Sequence, residues 1–240
     1  MAQQKPAYKR VLIKLSGEAL AGEKHFGLDF EIIKNVCQVV KKCQAEGVQV
    51  AIVIGAGNFW RGVKDGNGKM ERTRADYMGM LGTAMNCLAV ADVMEQMDIP
   101  VRVQTAIEMR EIAEPYSRNR AVTHLEEGKV VIFGCGTGSP FFSTDTAGVL
   151  RAVEIGADVI LLAKNIDGVY SADPKKDPTA VKYDSITYEE VLAKNLAVMD
   201  LTATALAMDN KLPALVFALS DPENIYRVVM GERIGTVVGK

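Results

Sequence analysis

Between residues 130 and 145 a short apolar run ends in Gly134, Gly136 and Gly138, and Pro140, Phe141, Phe142, Ser143, Thr144 and Asp145 follow. Glycines let backbone N–H groups approach an anion closely. Hydroxyls add donors, and a helix N-terminus carries partial positive charge. Two adjacent phenylalanines can wall a flat ring. The segment therefore suits a phosphorylated small molecule, nucleotides included. Three further turns carry comparable residues: Lys14-Leu15-Ser16-Gly17, Gly55-Ala56-Gly57-Asn58, and residues 164–173. In an open α/β sheet, ligands bind beyond the carboxyl ends of the strands. A glycine after a strand is often only a turn, but four such turns along one sheet edge line one crevice.

The charged residues at these turns suit phosphoryl transfer. Lys14 lies between Ile13 and Leu15. It is either an edge-strand lysine with its head in solvent or a cation beside the Ser16-Gly17 cradle. An apolar flank on both sides favours the cradle. Arg61 beside a glycine turn matches phosphate oxygens in a bidentate way, and a solvated loop arginine is the plain alternative. Asp145 and Asp200 are the candidate acids, each also placed to cap a helix. Transfer between phosphates asks for positioning and charge neutralisation, with Mg²⁺ bridging phosphates. Two familiar phosphate signatures are absent. The Gly-Lys pairs at Lys69, Lys129 and Lys240 lack a following Ser or Thr, so there is no P-loop. Trp60 stands where a dinucleotide fingerprint needs its third glycine.

These turns need strands and helices to hold them. Apolar runs predict strands over 10–15, 48–54, 100–103, 130–133, 158–163 and 215–219, with a last edge strand over 235–238. Helical patterns fall over a segment capped by Asp29, with Ile32, Val36, Val39, Val40 and Cys43 as its apolar positions and Gly47 as its stop. Others cover 73–97, in one or two pieces, 122–127, 144–155, 187–193 and 202–210. Alternation of strand and helix implies a three-layer α/β/α sandwich with a mostly parallel central sheet. No linker or internal repeat divides the chain, which predicts a single domain over 1–240. Residues 1–163 would form an acceptor lobe with the phosphate loops, and residues 164–240 a lobe for the donor's nucleoside.

Composition narrows the classes of function. The chain has 240 residues, 48% hydrophobic, with 28 basic against 30 acidic side chains, net −2. A nucleic-acid binder usually carries a basic excess, so nucleic acid is disfavoured as a partner. Cys37, Cys43, Cys87 and Cys135 form no Cys-x-x-Cys pair, and His25 and His124 are the only histidines, which argues against zinc. Scattered thiols fit the reducing cytoplasm. The N-terminus has no apolar signal core, and no run of about 18 apolar residues suggests a membrane span.

The joined motifs resemble the bacterial UMP kinases, a family of the amino-acid kinase fold. They are residues 14–20, Gly55-Ala-Gly-Asn-Phe-Trp-Arg-Gly62, Asp76-Tyr-Met-Gly-Met80, residues 137–145, residues 167–174 and Val198-Met-Asp-Leu201. The resemblance spans nearly the whole chain from Lys9. Asp76 and the Thr137-Gly-Ser-Pro-Phe-Phe142 segment separate it from relatives that phosphorylate carboxylates or carbamate. Gly55-Ala56-Gly57 departs from the family's frequent three glycines.

The resemblance implies transfer of the ATP γ-phosphoryl group to UMP, giving UDP, with Mg²⁺, in pyrimidine nucleotide biosynthesis. It places Lys14, Leu15, Ser16, Gly17, Gly57 and Arg61 on the ATP phosphates, and Asn165, Tyr170 and Asp173 on the adenosine. Ala56 and Asp76 would contact UMP, Asp76 at the ribose. Thr137, Gly138, Ser139, Pro140, Phe141, Phe142, Ser143 and Thr144 would cradle it. Lys14, Arg61, Asp145 and Asp200 would serve the group in flight and its Mg²⁺, held mainly by nucleotide phosphates with Asp145 as the protein ligand. Gly22, Glu23, Lys24, His25, Phe26 and Gly27 match the segment linked to activation by GTP, with UTP as inhibitor. A cytoplasmic homohexamer is implied. The alternatives are a carboxylate or other small-phosphate kinase on the same fold, or a non-catalytic nucleotide-binding protein.

Overall fold

The computed structural model describes residues 5–61, 65–66 and 68–239. Gly62, which closes one of the sequence motifs, lies outside the described residues. The central element is β1 (Arg10–Leu15), whose side chains alternate between two apolar layers. Val11, Ile13 and Leu15 enter one core and Leu12 the other. β2 (Gln49–Ile54) and β6 (Val159–Lys164) pair with it in parallel on either side. β3 (Val101–Thr105), β4 (Glu114–Pro115) and β5 (Val130–Gly134) extend the sheet beyond β2. β10 (Ala214–Ala218) extends it beyond β6. The nine-stranded order is β4-β3-β5-β2-β1-β6-β10-β11-β9, where β9 is Ser185–Ile186 and β11 is Thr236–Val238. Only the β10–β11 pair is antiparallel in this sheet. β7 (Val169–Tyr170) and β8 (Lys182–Tyr183) form a separate hairpin.

Helices cover both faces, as the alternating pattern predicted. One face takes α1 (Gly17–Ala21), α2 (Phe30–Ala45), α3 (Arg72–Gln96) and α8 (Glu223–Val229). The other takes α4 (Arg118–Glu126), α5 (Thr144–Ile155), α6 (Tyr188–Ala193) and α7 (Leu201–Asp209). Each fully buried Leu or Ile contributes about 1.5–3 kcal/mol relative to exposure, and both layers are dense in them.

Several expectations are sharpened. Lys14 is not on an edge: β1 is the middle strand. β11 is the last strand of the chain but not an edge strand, since β9 pairs outside it. The 73–97 pattern is one unbroken helix, α3, capped by Glu71. Asp29 caps α2 as expected, accepting from Glu31 N at 3.0 Å, but Ile33 rather than Ile32 is its buried residue. Asp200 caps α7 through Ala203 N at 2.9 Å. Asp145 does not cap α5; Ser143 does, accepting from Thr146 N at 3.0 Å. Asp145 is thereby free to point elsewhere from the first turn.

Candidate active site

Lys14 shares the face of β1 that Leu12 occupies, under α5. A Cβ added at Gly148 would lie 3.3 Å from Ile160 Cδ1, 3.7 Å from Lys14 Cγ and 3.8 Å from Leu12 Cδ2, so the helix packs directly over the lysine stem. One helical turn earlier, Asp145 projects from the same side of α5 and meets Lys14 Nζ at 2.7 Å. Their side chains are only 14% and 18% exposed. Asp145 thus sets a carboxylate against the lysine head near the end of the central strand. Apart from this ion pair, Asp145 Oδ1 has no hydrogen-bond partner.

Around that pair the glycine turns close. A Cβ on Gly17 would stand 2.4 Å from Gly55 O, 2.5 Å from Asn58 Oδ1 and 2.8 Å from Gly57 N. Only glycine lets these two turns touch. Asn58 and Asn86, both buried, exchange amide hydrogen bonds of 2.9 and 2.8 Å, and Asn86 Nδ2 donates to Gly55 O at 2.7 Å. Ala56 is not among the residues with positive φ, so alanine is accommodated there without strain. Arg61 pairs with Glu18 across the same turn.

The 134–143 loop forms the far wall. Gly136 and Gly138 have φ of +58° and +81°. At Gly138 a Cβ would come within 3.1 Å of Ala106 O. Thr137 Oγ1 and the Ser139 backbone bond each other. Phe141 N donates to Asp76 Oδ2 at 2.8 Å, which ties the loop to the first turns of α3. Phe141 and Phe142 are 67% and 51% exposed, free to meet a ring. Lys14, Gly57, Arg61, Asp76, Thr137 and Thr144 all line one cleft of 480 Å³.

A second hollow of 390 Å³ has Lys164, Tyr170, Asp173 and Val198 in its wall. Asn165 is exposed and lines a different hollow, with His25 and Ser220. Of the two neighbours, Lys164 faces the Tyr170 side. Its Nζ donates to Val198 O. Burial holds this ammonium below the usual lysine range and Lys14 adds to the effect, while Asp145 and Asp200 oppose it. Asp200 accepts from Ser143 Oγ and from Thr146 Oγ1 at 3.1 Å, so it bridges α7 to the acceptor loop. Lys14, Asp145, Lys164 and Asp200 therefore make one charged cluster.

The segment from Gly22 to Gly27 lies beside these turns. Gly22–Lys24 is a single 3₁₀ turn and His25 is left-handed, with φ +57°. Gly27 N donates to Asn58 O at 3.0 Å, and Asn58 Nδ2 returns a bond to Gly27 O at 2.7 Å. The segment is thus strapped to the 55–58 turn.

Sequence reasoning did not single out Lys164 for this cluster, nor Glu18, Arg72 or Asn86. Arg72 lies four residues before Asp76, a spacing that pairs charges on a helix, and that spacing was the available signal. A larger hollow of 740 Å³ lies between α3 and the β3–β4 edge, with Arg102, Glu114 and Ile112 in its wall. It collects none of the expected residues.

A largely enclosed cation and carboxylate at the carboxyl end of a parallel sheet, ringed by glycine turns, have the charge and the backbone room that a phosphorylated ligand asks for. Residues 9–219 match the amino acid kinase family, and the chain belongs to it. The chain is 41% identical to the UMP kinase of Bacillus anthracis, with a TM-score of 0.93 over 97% of this chain and 96% of that one. It is 36% identical to the UMP kinase of Ureaplasma parvum, with a TM-score of 0.91 over 99% of this chain and 100% of that one. The uridylate kinase of Archaeoglobus fulgidus shares 30% identity at a TM-score of 0.74, covering 95% of this chain and 99% of that one.

Proposed function

We propose that this chain is a UMP kinase, passing the γ-phosphoryl group of ATP to UMP and releasing UDP and ADP. The observation that carries the reading is the Lys14–Asp145 pair, with Lys14 in the wall of the 480 Å³ cleft and Lys164, which feels both charges, in the wall of the 390 Å³ hollow. The 480 Å³ cleft takes UMP, with Ala56, Asp76, Thr137, Phe142, Ser143 and Thr144 around it. The 390 Å³ hollow takes the nucleoside of ATP beside Tyr170 and Asp173. This supports an acceptor lobe over 1–163 and a donor-nucleoside lobe over 164–240. The names of the three similar structures point to the same acceptor.

The chemistry asks for charge neutralisation on a group in flight. Lys14, held by Asp145, presents a fixed ammonium to it. Arg61 can exchange its exposed Glu18 partner for a phosphate, since a guanidinium fits phosphate oxygens better than a screened carboxylate. Ser16, Gly17 and Gly57 border the same opening. Asp200 holds the Ser143 end of the acceptor loop. Mg²⁺ usually keeps several waters and binds one or two carboxylates with substrate phosphates. Among the described residues no three His, Cys, Asp or Glu side chains cluster as a metal cage. Asp145, with its otherwise unbonded Oδ1, fits the role of single protein ligand. When bound there, Mg²⁺ would supply charge neutralisation for the phosphates.

The reading extends to assembly and setting. α3 is apolar on its outer side, which supports a homo-oligomer, with a hexamer as the form the family implies. The described cysteines are all free and buried, in keeping with the cytoplasm. The strap between the 22–27 segment and the 55–58 turn offers a route by which GTP, and UTP against it, would act on the site.

The test is direct. Incubation with Mg·ATP and each nucleoside monophosphate should give UDP from UMP fastest. Absence of UDP, with faster turnover of CMP, a carboxylate or carbamate, sinks the proposal.

A further inference from the structure

We propose that Arg72 is a positioning residue of the acceptor cleft, fixing Asp76 and Phe141 in the arrangement that selects a ribose over a deoxyribose. The inference rests on the reading above, in which that cleft holds UMP and Asp76 meets its ribose. Arg72 Nε lies 2.9 and 2.8 Å from the two carboxylate oxygens of Asp76. Its guanidinium also stands 5.3 Å from the centroid of the Phe141 ring. Asp76 Oδ2 accepts from Phe141 N at 2.8 Å. Phe141 has φ +71°, a left-handed backbone that a phenylalanine adopts only when its surroundings hold it. One arginine thus grips both ends of the contact that joins α3 to the acceptor loop.

The geometry separates Arg72 from the residues that touch substrate. Asp76 lines the cleft and is 12% exposed at its side chain. Arg72 is 43% exposed and stands behind Asp76, outside the cleft wall. It acts through the carboxylate. An ionised carboxylate has about four lone-pair sites. Arg72 and Phe141 occupy those on the outer and loop sides, leaving Asp76 to accept from a hydroxyl presented by the cleft. Without Arg72 the carboxylate can rotate, and both the loop and the hydroxyl acceptor lose their place.

The test compares wild type, Arg72→Met, Arg72→Lys, Asp76→Asn and the Arg72→Met/Asp76→Asn double variant, with UMP, dUMP and ATP. Wild type is expected to prefer UMP to dUMP. Arg72→Met should raise KM for UMP about tenfold, the worth of one charge-assisted hydrogen bond. KM for dUMP should move much less, so the preference collapses. kcat and KM for ATP should stay within about twofold, as for a lost ground-state contact. The double variant should be no worse than Asp76→Asn alone. Arg72→Lys keeps the charge but not the planar contact, and should fall between wild type and Arg72→Met. It carries the same readouts should Arg72→Met fail to fold. Unchanged KM for UMP, equal losses for UMP and dUMP, multiplying losses in the double variant, or no wild-type preference each overturns the proposal. If wild type makes no UDP, the functional reading itself fails. If wild type makes UDP and the Arg72 variants match it, only the role of Arg72 fails.

Discussion

Lys14 is placed where an ordinary lysine would not be tolerated. It sits on the middle strand, its stem against Gly148 and its head 2.7 Å from Asp145. Breaking a buried ion pair by removing one partner costs about 3–5 kcal/mol, because the other charge is left uncompensated. Arg61, exposed and paired with Glu18, carries no such penalty. Lys14→Met should therefore lower both stability and turnover. Turnover should fall about 10²–10³-fold, the size seen when one preorganised charge-stabilising group is removed. UMP affinity measured by calorimetry without ATP should change little. Parallel loss of UMP affinity and turnover would assign Lys14 to acceptor binding instead. Lys14 was legible from its type, a charge between Ile13 and Leu15. Asp145 was legible as an acid at a helix start, but not that Ser143 would cap the helix and release it. Lys164 ends an apolar strand beside an equally polar Asn165. Which of two adjacent side chains faces the site depends on strand phase, and a one-residue shift reverses it.

The elements that matter most are the turns, and Gly17 is the tightest. Its missing Cβ is what brings α1 against the 55–58 turn. Gly17→Ala puts a methyl group into two backbone atoms and a buried amide that is itself bonded to Asn86, none of which is a flexible tip. Overpacking of this kind costs about 1–3 kcal/mol. Gly79 offers the contrast on α3, since a Cβ there would meet only Trp60 Cδ1, at 3.9 Å. Gly79→Ala should gain about 0.8–1.0 kcal/mol of helix propensity. Urea unfolding of the two variants should move in opposite directions. A stable Gly17→Ala would mean that the turns are not packed as closely as described. The long elements were legible because their apolar periods ran for several residues. α1, with five residues, and β4, β7, β8 and β9, with two each, are too short to show a period. Their places are set by tertiary pairing alone.

At the scale of the molecule, α3 carries an unfinished surface. Its inner side buries Ala84, Cys87, Val90, Ala91, Val93 and Met94 in or beside the core. Its outer side leaves Met78, Leu81, Met85 and Leu88 41%, 49%, 53% and 38% exposed. These four recur every three or four residues, the spacing of one helical stripe that packs against another helix. By length and composition α3 is apolar enough to cross a membrane, but more than half of that stretch is buried inside the fold. A second copy of the same stripe is the occupant that fits, since a two-fold contact meets itself. Wild type should then sediment at a multiple of the chain's mass at micromolar concentration. Leu81→Glu/Met85→Glu should sediment as a smaller species with unchanged far-UV dichroism, both side chains being exposed. The first turns of α3 also hold Arg72 and Asp76, which fix the acceptor loop. With the stripe as interface, assembly and acceptor site would share one helix, and the dissociated variant should show a higher KM for UMP with KM for ATP unchanged. A monomeric wild type, or a double variant that assembles normally, would leave the stripe without that role.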